Sequence, residues 1–294
     1  MKKITVLSGK GGVGKSSIAA SLAISLSENA KVICADCDVD ASNLGLVLGL
    51  RERDFAKWKS VSTNEKARLD AGKCNGCKKC VESCYFKAIS WDGKRKQPVF
   101  DSFSCEGCGV CQIVCPQNAI DLVEVKNAKI GFGKTKYGFP VVSGQLEMGE
   151  SGSGKVVAEV RRLAEEKRKN ADFMVIDAAA GIGCPVIASV VGSDFVLGVA
   201  EPTPSGISDL KRALKMAGHF GIKCGVVVNK HDLNPKATKE IENLAEENGL
   251  PVLAKIPYDK SFVDALVNLT PVIVYKPETR KYFEGIKGRL LELL

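Results

Sequence analysis

No run in this 294-residue chain approaches the ~20 consecutive apolar residues that a bilayer-spanning helix requires. Histidine is nearly absent: His219 and His231 are the two in the chain, and neither has a metal-ligand partner at helical spacing, so both are expected to be structural or solvent-exposed. A secretory leader is not evident either, since Met1-Lys2-Lys3 runs directly into the apolar segment 4–7. The expected location is therefore the reducing cytoplasm, where structural disulfides do not persist. What is present is 45% hydrophobic residues, enough for a large domain and a small one. The formal net charge is +8, and residues 51–140 supply most of it, with 17 Lys and Arg against 10 Asp and Glu. Basic residues there, among them Lys78, Lys79, Lys94, Arg95 and Lys96, read first as a solvated surface. Docking of an acidic redox partner is the alternative, and nucleic acid is not an expected partner.

Cysteine, by contrast, is abundant, at 12 residues. Eight fall in two matching runs, Cys74-x2-Cys77-x2-Cys80-x3-Cys84 and Cys105-x2-Cys108-x2-Cys111-x3-Cys115. The second lies 31 residues after the first, an offset that also superposes Ala88-Ile89 on Ala119-Ile120 and marks an internal duplication. Zinc sites usually pair two C-x2-C knuckles across a longer gap. Triplets closed by C-x3-C, with Pro116 after the last, suit cubane iron-sulfur clusters better. The pattern resembles that of bacterial ferredoxins, in which the fourth cysteine of each run serves the other run's cluster. That resemblance implies one [4Fe-4S] cluster on Cys74, Cys77, Cys80 and Cys115, and a second on Cys105, Cys108, Cys111 and Cys84. Tyr85 follows Cys84 where the second run has proline, a departure expected to tune packing or potential.

The N-terminus reads as strand, phosphate loop and helix: an apolar run at 4–7, then Gly9-Lys10-Gly11-Gly12-Val13-Gly14-Lys15-Ser16-Ser17, then a helical stretch at 18–26. Glycines let backbone N–H groups turn onto phosphates at a helix N-terminus, Lys15 reaches the terminal phosphates, and the Ser16 hydroxyl can ligate Mg2+. Lys10 adds a second cation where most phosphate loops place none. This arrangement resembles the deviant Walker A motif of the MinD/ParA/nitrogenase-iron-protein superfamily. Other segments support the resemblance. The strand 31–35 ends in Asp36-Cys37-Asp38-Val39-Asp40, similar to the family's switch I, and 173–176 ends in Asp177 with Gly181 beyond, similar to Walker B and switch II. The apolar strand 226–228 ends in Asn229-Lys230, and Ile256-Pro257-Tyr258-Asp259 is similar to the family's adenine-side loop. Each of these residues falls at the carboxyl end of an expected parallel strand, where open α/β sheets bind ligands.

The resemblance implies ATP and Mg2+ as cofactors and an ATP-dependent homodimer, or a heterodimer with a paralogue. It places Lys10 on the partner subunit's phosphates and Asp38 on the attacking water. Asp177 would hold Mg2+ through water, the Gly181 N–H would sense the γ-phosphate, and Asn229 with Pro257 would receive the adenine. Asp36, on the same side of its strand as Asp38 by alternation, supports the site from behind. The Asp177-Ala178-Ala179-Ala180-Gly181 segment lacks the prolines common in the family's switch II.

Several signals read more plainly. Gly149-Glu150-Ser151-Gly152-Ser153-Gly154-Lys155-Val156 nearly repeats a Walker A, but Val156 stands where a hydroxyl should ligate Mg2+, so it is read as a helix entry. Cys34 and Cys37 point to opposite strand faces, and Cys34 and Cys224 are expected to be buried. Cys184 stands seven residues after Asp177, the interval at which the nitrogenase iron protein carries a cluster ligand, and is a candidate metal ligand at a dimer interface; quiet packing is the alternative. Phe283, Ile286, Leu290 and Leu293 share a helical face expected to dock on the core.

The expected fold is α/β: a mostly parallel, doubly wound P-loop sheet from 1–50 and 141–294, carrying an inserted small α+β ferredoxin-like domain at 51–140 with its core at about 66–125. The function implied is an ATP-hydrolysing dimer that couples ATP to electron transfer or metallocluster delivery to an accepting protein. The alternative is a MinD/ParA-type positioning ATPase whose clusters serve as a redox sensor or structural staple.

Overall fold

The computed structural model describes the backbone of residues 1–294 and every side chain but that of Lys57. Its strands are β1 (Lys2–Ser8), β2 (Val32–Cys37), β3 (Phe55–Val61), β4 (Asn64–Leu69), β5 (Ile89–Asp92), β6 (Gln97–Phe100), β7 (Ile120–Val125), β8 (Ala128–Lys134), β9 (Pro140–Leu146), β10 (Phe173–Ala180), β11 (Phe195–Ala200), β12 (Lys223–Asn229) and β13 (Val252–Ile256). Its helices are α1 (Lys15–Ser27), α2 (Leu44–Val47), α3 (Lys79–Ser83), α4 (Val110–Ile113), α5 (Ser153–Lys167), α6 (Cys184–Val190), α7 (Pro204–His219), α8 (Pro235–Glu247), α9 (Ser261–Val267), α10 (Val272–Tyr275) and α11 (Arg280–Leu293). None of them is long and apolar enough to cross a membrane among the described residues. Two compact units divide the chain: Met1–Lys59 with Ile130–Gln145 and Ser153–Leu294, and Ser60–Lys129 with Leu146–Gly152.

The larger unit is built on a nine-stranded sheet in the order β13-β12-β11-β1-β10-β2-β9-β8-β3. From β13 to β9 every neighbouring pair is parallel, which gives the mostly parallel α/β sheet expected. Its central strands are apolar on both faces because helices cover both. Alternation divides their residues: Ile4 and Val6 join the core under α1 and α11, whereas Leu7, Val196 and Val228 join that under α6, α7 and α8. Phe283, Ile286 and Leu290 of α11 are fully buried in the first of these cores. Because β3 and β8 extend the large sheet beyond β9, residues 51–59 and 130–140, expected in the insert, belong to the larger unit, and 146–152 returns to the smaller one.

The smaller unit repeats itself at the 31-residue offset. Left-handed backbone occurs at Gly76, Lys78 and Lys87, and again at Gly107, Gly109 and Asn118. Strands are exchanged between the repeats: β4 pairs antiparallel with β7, and β5 with β6. Leu69 opposite Ile120 is thereby the counterpart of Phe100 opposite Ile89. The Asp70 N–H donates to Ala119 O and the Asp101 N–H to Ala88 O, both at 2.8 Å. A small core of Cys80, Ile89, Cys111 and Ile120 closes the unit.

Candidate functional site

The phosphate loop joins β1 to α1, and Gly12 and Gly14 adopt the left-handed backbone its turn needs. A side chain at Gly9 would collide with the backbone of Asp209, which explains the glycine there. Lys15 begins α1 and is buried, with its Nζ 2.5 Å from Asp177 Oδ1 and 3.7 Å from Asp38 Oδ2. Burial opposes the lysine's charge most strongly, but Asp177 together with Asp38 and Asp36 outweighs it, and the Lys15 pKa rises above its ordinary value. Ser16 follows on the first turn of α1. Asp177 is fully buried in β10, and its Oδ2 has no hydrogen-bond partner among the described residues. An unpartnered buried carboxylate oxygen is costly alone and suits a hard cation that takes oxygen ligands.

Asp36 and Asp38 behave differently from two residues alternating along a strand. β2 ends at Cys37, so Asp38 lies past its end, part-exposed beside Lys15. Asp36 is fully buried and organises the following loop, accepting from Ser42 Oγ at 2.8 Å and from the Leu44 N–H at 3.0 Å. Burial, reinforced by Asp177, raises its pKa to about 7. Burial also raises the Asp38 carboxyl, with Lys15 opposing.

Three residues are engaged otherwise than the sequence reading expects. The Gly181 N–H donates to Ser8 O at 3.0 Å, so sensing a γ-phosphate requires it to change partner. Asn229 Nδ2 donates to Val13 O at 2.8 Å and holds the phosphate loop against β12. Lys10 Nζ lies 2.6 Å from Glu201 Oε1 and also reaches Thr203 and Ser205, within its own chain. Glu201 was not singled out from the sequence, although its place just past β11 follows the rule that located Asp177 and Asn229. The loop bearing Pro257 is tied to the one after Asn229, since the His231 N–H donates to Ile256 O and the Tyr258 N–H to Asp232 Oδ1.

The cysteine runs meet in the smaller unit. One cavity is lined by Cys74, Cys77, Cys80 and Cys115, and another by Cys84, Cys105, Cys108 and Cys111. In each, three thiols come from one run and the fourth from the other, a consequence of the exchanged strands. Cys84 Sγ accepts the Ala88 N–H and Cys115 Sγ the Ala119 N–H, both at 3.3 Å. Among the described residues no three His, Cys, Asp or Glu side chains converge as ligands of a single ion. Cys34 and Cys37 are buried in β2, and burial pushes both thiols up. Cys184 is exposed at the start of α6, packed beside Gly154. In the Walker-like stretch the ring of Phe103 packs onto Gly149, so that loop offers no phosphate cradle.

A profile of the CobQ/CobB/MinD/ParA nucleotide binding domain matches residues 4–272. An uncharacterized protein of Methanocaldococcus jannaschii is 37% identical over 232 residues, 79% of each chain. The septum site-determining protein MinD of Pyrococcus horikoshii, solved in complex with Mg-ADP, shares the fold with a TM-score of 0.59 at 18% identity, over 98% of this chain and 95% of that one. The indolepyruvate oxidoreductase subunit IorA of Pyrococcus horikoshii is 36% identical over 76 residues, 26% of this chain and 11% of that subunit.

Proposed function

The chain belongs to the CobQ/CobB/MinD/ParA nucleotide-binding family, and from that premise we propose that it is a dimeric ATPase coupling ATP to electron transfer, or to metallocluster delivery, to a partner protein. The observation that carries the redox half is the pair of four-cysteine cavities with crossed fourth thiols. A [4Fe-4S] cluster on each set would supply one-electron storage. The similarity over 76 residues to an oxidoreductase subunit points the same way.

In the ATPase half, Lys15 exchanges its carboxylate partners for the terminal phosphates, and Ser16 would hold Mg2+, with the unpartnered Asp177 Oδ2 holding it through water. Asp38, part-exposed at the end of β2, orients the attacking water. Lys10 leaves Glu201 to neutralise the partner subunit's phosphates. The chain runs from Asp38 through β3 into the smaller unit, and returns at Gly152 into α5. Arg161 of α5 donates to Ala188 O and Val191 O at the end of α6, the helix that follows Asp177 and Gly181. Both switch segments are thus continuous with, or packed on, chain leading to the cysteines.

Anaerobic reconstitution should load about eight iron and eight sulfide per chain, with Cys74→Ser weakening one site and Cys105→Ser the other. Stoichiometric zinc without absorbance near ~400 nm would refute the cluster assignment. Redox titrations without nucleotide, with ADP and with a non-hydrolysable ATP analogue should differ by at least ~59 mV, a tenfold one-electron effect. Three superimposable titrations would favour the positioning ATPase instead.

A further inference from the structure

The two cysteine cavities match in ligand type, burial and hydrogen bonding to sulfur, three of the properties that set a cluster's potential, and differ in the fourth, charge. Each is lined by four cysteines. Cys80 and Cys111 are 7% and 9% exposed, Cys77 and Cys108 are both exposed, and each fourth cysteine accepts one backbone N–H at 3.3 Å.

The charges around them are opposite. Lys78 lines the cavity of Cys74, Cys77, Cys80 and Cys115, its Nζ held 4.7 Å from the centre of the Trp91 ring. The duplication places Gly109 at that position in the other cavity, whose wall carries Glu106 where the first carries Asn75. The backbone around the two runs otherwise matches: Gly76 packs against the carbonyl of Lys96, and its counterpart Gly107 against that of Glu65. Along the runs, residues 73–88 hold four lysines and one glutamate, whereas 104–119 hold one glutamate and neither lysine nor arginine.

Reduction adds one negative charge, so adjacent cations favour the reduced form and adjacent anions oppose it. Resting on the two-cluster reading, we propose that the sites are unequal: the one on Cys74, Cys77, Cys80 and Cys115 takes the first electron, and the one on Cys84, Cys105, Cys108 and Cys111 the second. Lys78 and Glu106 are the positioning residues that set this order. An external one-electron donor such as dithionite passes one electron to the first site, taking it from the 2+ to the 1+ state. A second equivalent reduces the other site in the same way, with no bond broken and no proton moved. A single electron therefore rests on the lysine-flanked site, and the more strongly reducing electron is held by the other once both are loaded.

The test is an anaerobic redox titration of the reconstituted full chain, followed by electron paramagnetic resonance, on the wild type, Lys78→Gly and Gly109→Lys. Lys78→Gly suits the backbone, since Lys78 has a left-handed φ of 62°, which glycine prefers. Gly109→Lys has room, its Cβ meeting Leu122 Cδ1 at an ordinary 3.5 Å, but it puts a lysine at a φ of 78°, a strained left-handed backbone of the kind the equivalent Lys78 already adopts. The wild type should show two one-electron steps separated by at least tenfold in equilibrium constant, ~59 mV. Lys78→Gly should lower the upper step alone, Gly109→Lys should raise the lower step alone, and Glu106→Gln should repeat the latter's direction. Full iron content with one unresolved wave, or with steps that none of the three variants moves, would overturn the inference and leave the cluster reading standing. A wild type that takes up no iron would overturn both.

Discussion

The ammonium of Lys10 lies 2.6 Å from Glu201 Oε1, and Lys230 Nζ approaches the same carboxylate at 2.9 Å. Despite partial burial, the two lysines hold the Glu201 pKa below its ordinary value. The lysine that the resemblance sends to a partner subunit is thus detained by its own. Removing the detaining charge should release it. Glu201→Gln is expected to lower the Mg-ATP concentration for half-dimerisation by roughly 2–5-fold, the scale of a part-exposed ion pair of ~1 kcal/mol or less. Lys10→Ala should abolish the dimer. Sedimentation velocity across an ATP series decides it, and an unchanged midpoint in Glu201→Gln would mean that the pair does not restrain assembly.

Lys15, Asp38 and Asp177 form one charge cluster, yet their substitutions should separate. Lys15→Ala should lose nucleotide binding, because two carboxylates would then face the phosphates unopposed. Asp38→Ala should bind ATP normally and hydrolyse it about 10²–10⁴-fold more slowly, the usual loss for a residue that handles the proton of the nucleophile. Asp177→Asn should weaken binding of Mg-ATP more than that of metal-free ATP. Equilibrium binding and single-turnover hydrolysis, measured side by side, would contradict these roles if all three variants behaved alike.

Asp36 gives the larger unit a pH signature. Its folded-state pKa is raised to about 7, so the native state holds a proton that the unfolded chain has already released above about pH 4. The stability associated with that proton is complete below about pH 4 and is lost as pH rises to about 7. Asp36→Asn keeps an oxygen for the Leu44 N–H and removes the ionisation. Its melting temperature relative to the wild type should climb between pH 4 and 7 and then level off. Parallel melting curves over that interval would show that Asp36 is charged throughout.

The core cluster of the smaller unit, Cys80, Ile89, Cys111 and Ile120, is small and half cysteine. A core of that size needs a staple, and metal bound only by the folded state contributes its binding energy to folding. If clusters occupy the cysteine sites as proposed, stripping the reconstituted protein with oxidant and chelator should therefore expose the β4 and β7 amides to hydrogen exchange while β1 and β10 stay protected. Unchanged protection of β4 and β7 would show that the unit stands without metal.

Much of this was legible locally. The phosphate loop could be read because its glycines, lysine and serine act within a few residues of one another, and the structure places Gly14 directly before α1. The duplication was legible from one offset, and the cysteine crossing followed from a resemblance to a pattern whose geometry is itself local. Sequence spacing settles which residues stand at the ends of which strands. It does not settle their partners: Glu201 meets Lys10, Val13 meets Asn229 and Ser8 meets Gly181 across about 170 to 220 residues, because β1 lies between β10 and β11 in the sheet. The extent of the smaller unit was decided in the same way, when β3 and β8 found hydrogen bonds at the edge of the large sheet. The meeting of the Lys96 carbonyl with one cysteine run and the Glu65 carbonyl with the other arises only because strands are exchanged between the repeats. Local chemistry repeats along a chain, but which fourth thiol completes each set depends on which distant backbone folds against it.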